Sequence, residues 1–152
     1  MKGKKVKDIM TTRVVSVKRS TSIKEIMRIF LEHPFHFLPV VDEEGNLLGV
    51  ITEKDVLTPF IPEYFELLED LDFVSDFGKL EEPPIEILEN LLVAEDVMRK
   101  DPVVIQKEAS LFKAIVLMTK KGVAHLPVVE GKKLLGVISR TDILKAIFKE
   151  SP

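Results

Sequence analysis

Two matching segments of the chain, each directly after Leu-Leu-Gly-Val-Ile, place a hydroxyl group three residues before a carboxylate. Thr52 precedes Asp55 in one segment, and Ser139 precedes Asp142 in the other. A hydroxyl at the start of a helix lies beside free backbone N–H groups, where an anionic phosphate group can bind. The same spacing is also that of a capping box, with which any protein can begin a helix. Each segment is therefore either a helix start alone or a helix start that also contacts a ligand.

The rest of the sequence offers little that could catalyse a reaction. It has no cysteine, which excludes thiol nucleophiles, disulfides and cysteine metal sites, and it has neither a Gly-x-Ser-x-Gly nor a Gly-x-x-x-x-Gly-Lys motif. His33 and His36 are close in sequence, but Pro34 interrupts a helix between them, and no carboxylate or cysteine completes a metal site. We predict no catalytic residues, no metal site and no enzymatic activity.

The elements around the two segments are duplicated, since residues 6–57 resemble residues 94–144. Each copy has an Asp-x-Met motif and then a short β-prone stretch, at residues 14–17 and 103–105. An amphipathic helical pattern follows, with Ser22 as a plausible N-cap in the first copy. Leu-Pro-Val-Val, a glycine-containing turn, Leu-Leu-Gly-Val-Ile and a second helical pattern complete the copy. We predict the order strand, helix, strand, strand, helix in each copy.

A copy of about 50 residues is marginal for an independent hydrophobic core. We therefore predict an α+β fold in which the two copies pack as a pseudo-twofold pair, with two clefts at the joint, where small ligands usually bind. In this division residues 1–57 form the first repeat, residues 58–93 an insert, and residues 94–152 the second repeat.

The insert is acidic, with ten acidic residues and one lysine. Apolar residues recur in it at helical spacing twice, which predicts two short amphipathic helices. These residues are Phe65, Leu68 and Leu71 in the first helix and Ile85, Leu88, Leu91 and Leu92 in the second. The helices either pack back onto the repeats with a solvated acidic face or form a docking surface for a partner.

The composition is that of a soluble globular protein, with 45% hydrophobic and 31% charged residues. The net charge of −3 gives no indication of a nucleic-acid partner. The apolar runs are far shorter than the roughly 20 residues that cross a bilayer. No signal-peptide pattern follows the basic start. We predict a cytoplasmic protein without a membrane partner.

The order and duplication of these motifs resemble the CBS-domain family in its tandem form, the Bateman module. The resemblance covers about residues 6–57 and 94–147. It implies a β-α-β-β-α fold in each half and two clefts that commonly take adenosine derivatives. It further implies a non-catalytic regulatory module that needs no cofactor, binds AMP, ADP, ATP or S-adenosylmethionine as a ligand, and signals by a conformational change.

The resemblance also assigns roles to residues. It implies that Asp55 and Asp142 accept hydrogen bonds from the ribose hydroxyls and that Thr52 and Ser139 reach a phosphate. A carboxylate has two acceptor oxygens, which match a vicinal diol. The residues implied to hold the base, through backbone groups and apolar side chains, are Val6, Phe35, His36, Phe37, Ala94, Val123, Ala124 and His125.

The two clefts need not be equivalent. Some relatives have a basic residue toward the phosphates where this chain has Phe37 and His125. A second hypothesis stays open, namely a structural or interaction protein with empty clefts that uses the acidic insert as its docking surface. Paired modules of this family commonly stack, and isologous dimers are the commonest oligomers, so we expect a homodimer and a regulated partner protein.

Overall fold

The computed structural model describes residues 3–61 and 85–150. Within these ranges the first repeat contains two helices, a β-hairpin, a third helix and one 3-10 turn. In chain order these are α1 (Val6–Ile9), α2 (Ile23–Glu32), β1 (Phe37–Val41), β2 (Leu47–Thr52), α3 (Glu53–Leu57) and the turn Thr58–Phe60. The second repeat follows one helix of the insert. Its elements, with that helix first, are α4 (Ile85–Leu91), α5 (Ala94–Val97), β3 (Ile105–Gln106), α6 (Leu111–Lys121), β4 (His125–Glu130), β5 (Lys133–Ser139) and α7 (Arg140–Glu150).

The α+β class and the predicted order of elements are confirmed, with two local differences. Two helices of four residues, α1 and α5, precede the first strand of each repeat. The strand predicted over residues 14–17 is reduced to one parallel bridge between Val17 and Val40. The Val17 N–H donates to the Pro39 carbonyl oxygen at 3.0 Å, and the Val41 N–H donates to the Val17 oxygen at 2.9 Å.

Helices α2 and α6 begin at equivalent serines. The Ser22 Oγ accepts a hydrogen bond from the Glu25 N–H, and the Ser110 Oγ accepts one from the Lys113 N–H, each at 3.1 Å. These bonds satisfy backbone donors that a helix start otherwise leaves unpaired, which confirms Ser22 as an N-cap. The faces that the two helices bury against the strands consist of Ile23, Ile26 and Ile29 in α2 and of Leu111, Ala114 and Met118 in α6.

Each repeat contains an antiparallel hairpin. Phe37 lies opposite Thr52 in β1 and β2, and His125 lies opposite Ser139 in β4 and β5. Strand β3 adds to β4 in parallel. The register therefore sets the residue before Leu-Pro directly beside the residue that begins the following helix in both repeats.

The first segment of each repeat packs on the other repeat. Val6 is fully buried in a core that consists otherwise of second-repeat residues, and Ala94 is fully buried among first-repeat residues. The backbone follows the same exchange, since Thr11 pairs with Val137 and Arg99 pairs with Val50, both antiparallel. Neither hydrophobic core is complete without the first segment of the other repeat.

Two glycines allow this exchange. A Cβ atom on Gly136 would lie 2.5 Å from the Thr11 oxygen, and one on Gly49 would lie 2.6 Å from the Arg99 oxygen. Real Cβ atoms do not approach so closely, so both positions exclude side chains. The Leu-Leu-Gly-Val-Ile motif thus has its glycine where a distant chain segment crosses the strand.

The hairpin turns and the insert add further contacts. The Leu47 N–H donates to the Lys132 oxygen at 2.8 Å, which links the two turns. Helix α4 confirms the second predicted helix of the insert and contacts α2. The helix predicted around Phe65, Leu68 and Leu71 lies outside the described residues. The helices of the described ranges are all too short or too polar to cross a membrane.

Candidate functional site

A cleft of about 190 Å³ lies at the joint between the two repeats. Its walls come from the segment after α1 and from β1 on one side, and from β4, β5 and α7 on the other. The lining residues are Thr11, Arg13, Val14, Val15, Phe35, Phe37, His125, Val137, Ser139 and Asp142. Five residues that the sequence proposed as ligand contacts therefore line one cleft, which we call the Asp142 cleft. They are Phe35, Phe37, His125, Ser139 and Asp142.

The start of α7 positions the carboxylate of this cleft. The Ser139 N–H donates to Asp142 Oδ2 at 2.9 Å, and the Asp142 N–H donates to Ser139 Oγ at 3.1 Å. This reciprocal pair is the capping box that the sequence indicated. Within the described residues only Oδ2 of Asp142 accepts a protein hydrogen bond. Capping thus orients the side chain and leaves Oδ1 available to a ligand.

An aromatic pair closes the cleft beside this carboxylate. The rings of Phe37 and His125 stack with centroids 5.1 Å apart and an interplanar angle of 10°. Burial lowers the pKa of His125, the charges of His36 and Arg140 lower it further, and the carboxylate of Asp142 opposes them. The imidazole is therefore mainly neutral near pH 7, and it acts there as an aromatic wall more than as a cation.

The start of α3 has the same capping arrangement with an added partner. Asp55 Oδ2 accepts hydrogen bonds from the Thr52 N–H and the Thr52 hydroxyl, each at 2.9 Å. Arg99 Nε donates to Asp55 Oδ1 at 3.1 Å, so both carboxylate oxygens are engaged. The Asp55 side chain is 11% exposed, against 54% for Arg99.

Three further sequence candidates lie around these two helix starts without lining the Asp142 cleft. His36 forms an ion pair with Glu53, the first residue of α3, and its side chain is largely exposed. The Ala124 carbonyl accepts the N–H of Arg140 at 3.0 Å and so joins β4 to α7. Val123 packs against the core of the second repeat.

The structure does not bring Val6 and Ala94 to the cleft. Both side chains have no exposed surface, because each completes the core of the opposite repeat. Their N–H groups are also occupied, since Val6 donates to the Ala109 oxygen and Ala94 donates to the Thr21 oxygen, each at 2.8 Å. Their part is to anchor the segments that carry the lining residues.

Sequence reasoning missed the residues just after the Asp-x-Met motif. Thr11, Arg13, Val14 and Val15 all line the Asp142 cleft, and Arg99 reaches Asp55. A signal for them exists in the repeat itself, because Thr11 and Arg13 align with Arg99 and Asp101. Side chains whose charge changes between otherwise matching copies indicate surfaces that the fold does not fix.

The histidines that the sequence weighed as metal ligands lie just before the first hairpin. His33 stacks on Phe35 with ring centroids 4.9 Å apart. Across residues 3–61 and 85–150 no three histidine, aspartate or glutamate side chains are grouped so that they could hold a metal ion.

Comparison with known proteins agrees with the duplicated architecture. The family model described as CBS domain matches residues 6–60 and 93–149. The crystal structure of CBSX2 in complex with AMP is similar to this chain with a TM-score of 0.76 and 26% identity, over 99% of this chain and 100% of that one. The CBS domain of a membrane protein from Sphaerobacter thermophilus has a TM-score of 0.69 and 31% identity, over 93% and 86%.

Relatives among curated proteins differ in length. A CBS domain-containing protein of Dictyostelium discoideum is 29% identical over 95% of this chain and 91% of its own length. An A-adding tRNA nucleotidyltransferase of Aquifex aeolicus is also 29% identical over 94% of this chain, which spans only 14% of that enzyme. Chains of this kind therefore occur both as most of a protein and as a small part of a larger one.

Proposed function

The chain belongs to the CBS domain family, and we propose that it is a regulatory module that binds an adenosine nucleotide in the Asp142 cleft. The observation that carries the proposal is the carboxylate of Asp142, which is oriented by capping and keeps Oδ1 free of described protein donors beside an aromatic wall. The similarity to CBSX2, whose structure was determined with AMP, supports the same ligand class.

The ribose would bind at Asp142. A vicinal diol offers two O–H donors, and a carboxylate oxygen accepts such bonds more strongly than a neutral oxygen does. Oδ1 is available for this purpose while Oδ2 holds the start of α7. Ligand binding then requires no loss of the helix cap.

The base would lie against the apolar part of the cleft. Val14, Val15 and Phe35 line it together with the stacked rings of Phe37 and His125. Aromatic faces stabilise a flat heterocycle by offset stacking, which contributes about 0.5–1.5 kcal/mol beyond the burial of apolar area. A neutral His125 suits this role better than a charged one.

The phosphate would lie toward the start of α7. This helix has 11 residues, and the positive end of its dipole lies at its first turn. Arg13 lines the cleft, and Arg140 is the first residue of the helix. Guanidinium groups bind phosphate oxygens in bidentate geometry, so a phosphorylated adenosine is the favoured ligand.

Binding at this place would couple the two repeats. The cleft takes residues from both, so a ligand there makes contacts that depend on how the repeats are packed. A ligand shifts such an equilibrium only by its different affinity for the two packings. The proposed signal is therefore a change in the angle or closeness of the repeats.

We also propose that the chain forms a homodimer. Phe112, Leu144 and Phe148 are 68%, 65% and 81% exposed on α6 and α7. Large exposed apolar groups at neighbouring helices favour an interface between copies. A solution mass near the 17.2 kDa of one chain, by light scattering, would contradict this assembly.

The test is titration calorimetry with AMP, ADP, ATP and S-adenosylmethionine. We expect AMP to bind the wild type and Asp142→Asn to weaken it at least about tenfold, since a hydrogen bond to a charged group contributes about 1.5–3 kcal/mol. Asp8→Asn is the matched control, because Asp8 also caps a helix start, by accepting the Lys5 N–H at 2.8 Å, but lies outside the cleft. Equal affinity of the wild type and Asp142→Asn for AMP would contradict the proposal.

A docking role for the insert is the second candidate function. Ile87 and Leu91 of α4 are 57% and 69% exposed, which favours a surface for a protein partner. This candidate would gain if no adenosyl compound bound the wild type and if Ile87→Asp abolished association with a regulated protein.

A further inference from the structure

The two helix starts at the joint are related by the internal repeat, and one of them is engaged by the protein itself. We propose that Arg99 closes the ligand site at Asp55, so that each chain binds one nucleotide, at Asp142, and not two. The inference rests on the proposed function, because it assumes that these carboxylates are the ribose acceptors. It adds the residue that makes the clefts unequal.

The contact of Arg99 replaces the one that a ribose would make. Its Nε lies 3.1 Å from Asp55 Oδ1, the oxygen that does not serve the cap of α3. The corresponding oxygen of Asp142 has no donor among the described protein groups. A diol that donates to Asp55 Oδ1 must compete there with a guanidinium, which is a charge-assisted partner.

The difference between the two carboxylate sites comes from one side chain on equivalent backbones. Thr11 and Arg99 follow the same Asp-x-Met motif and make the same pair of backbone hydrogen bonds to the opposite repeat. Thr11 exchanges bonds of 2.9 and 3.0 Å with Val137, and Arg99 exchanges bonds of 2.9 and 3.1 Å with Val50. Since the backbones are equivalent, the length and charge of the side chain decide whether the carboxylate is reached.

The charges near the two carboxylates also favour nucleotide binding at Asp142 over binding at Asp55. Arg13 and Arg140, at the Asp142 cleft, align with Asp101 and Glu53 in the other copy. Acidic groups at these two places repel a phosphate. The helix that begins after Thr52 is also short, with five residues against 11 for α7. The Asp55 side thus has fewer of the features that would hold a phosphate in place of the displaced arginine, although Lys54 follows Glu53 there.

The experiment is titration calorimetry of the full chain with adenosine and with AMP. Adenosine tests the ribose and base contacts without the repulsion from Glu53 and Asp101. We expect one site per chain in the wild type, lost in Asp142→Asn and kept in Asp55→Asn. Arg99→Thr installs the residue of the other copy, and we expect it to raise the stoichiometry for adenosine from one to two.

Two further variants complete the test. Lys100→Thr removes the same charge from the neighbouring residue and should keep one site. Thr11→Arg installs the arginine in the other copy, and we expect it to weaken adenosine binding at Asp142 at least tenfold. Thermal melting shows that each variant is folded before it is titrated. Because the two exchanges act on different repeats, loss of folding in one leaves the other as a test.

Several outcomes would overturn the inference. Two adenosine sites in the wild type would do so while the proposed function survives, and so would one site in Arg99→Thr. Weaker binding of AMP at Asp55 in Arg99→Thr than in the wild type would make Arg99 a phosphate ligand and not a barrier. If the wild type binds neither compound but Arg99→Thr gains one adenosine site, the proposed function fails and the barrier stands. If no variant binds, both fail.

Discussion

At the start of α7, Asp142 accepts one hydrogen bond from the described protein groups, whereas at the start of α3 Asp55 accepts three. The backbone arrangement is the same at both places: a hydroxyl residue at the end of a strand, an acid three residues on, and a segment of the opposite repeat alongside. What differs is the side chain that this segment presents. The comparison separates residues that hold the fold from residues that set the use of each cleft.

Matching residues of the two copies lie mainly where the backbone is fixed. Gly49 and Gly136 both allow the crossing of a distant segment, and Leu38 and Leu126 are both fully buried. Arg99 and Thr11 differ and lie at the joint. At the joint, this difference between the internal copies points to unequal use of the two carboxylates.

The largest expected effect comes from the crossing glycines. Gly136→Ala and Gly49→Ala should each lower the free energy of unfolding by about 3 kcal/mol, since the added Cβ would overlap a backbone oxygen that cannot move freely. Chemical denaturation with circular dichroism measures this. Lys133→Ala, an exposed position on the same strand as Gly136, should change stability by less than about 0.5 kcal/mol. A large loss of unfolding free energy for only one of the two glycine variants would contradict the equivalence of the two backbones.

A smaller and equal effect is expected at the helix caps. Ser22→Ala and Ser110→Ala each remove a side-chain acceptor from the third N–H of a helix, at the same distance of 3.1 Å. Each should cost about 1 kcal/mol of unfolding free energy. Unfolding midpoints in urea test whether the two values agree. If the two losses of unfolding free energy differ by more than about 1 kcal/mol, the two serine caps do not stabilise their repeats equally.

Much of the fold could be predicted because its signals are local and occur twice. The serine caps, the hairpin residues and the apolar faces of α2 and α6 all follow from spacing in the sequence. Helices α1 and α5 were missed because four residues are too few to show a helical period. The exchange of first segments was missed because it joins residues far apart in sequence, and a glycine inside a strand does not reveal which segment crosses it.

The residues of the site also fall into those that the sequence could place and those that it could not. Ser139, Asp142 and His125 could be placed together from the motifs, since the hairpin register sets His125 beside the helix start at Ser139. The stacking of Phe37 on His125 depends on how the two repeats pack. The burial of Val6 and Ala94 could not be predicted from the sequence, because it depends on packing by the opposite repeat. The reach of Arg99 to Asp55 depends on the same packing.

The smallest expected effect concerns a ring position at which the copies differ, Phe37 against His125. Burial lowers the pKa of folded His125 below its ordinary value of 6.5, so the unfolded chain binds more protons in the window between the two values. Stability therefore rises with pH through this window, and this contribution is lost as the pH falls below about 6.5. His125→Phe places the same residue at both positions and should make stability less dependent on pH.

Urea unfolding at about pH 5 and about pH 7.5 measures this for both proteins. His33 and His36 are present in each, so the difference between the two pH dependences reports His125. A loss of stability at low pH that is as large in His125→Phe as in the wild type would assign the titration to other groups. A smaller loss in the variant would instead show that the two copies differ in charge behaviour at this ring.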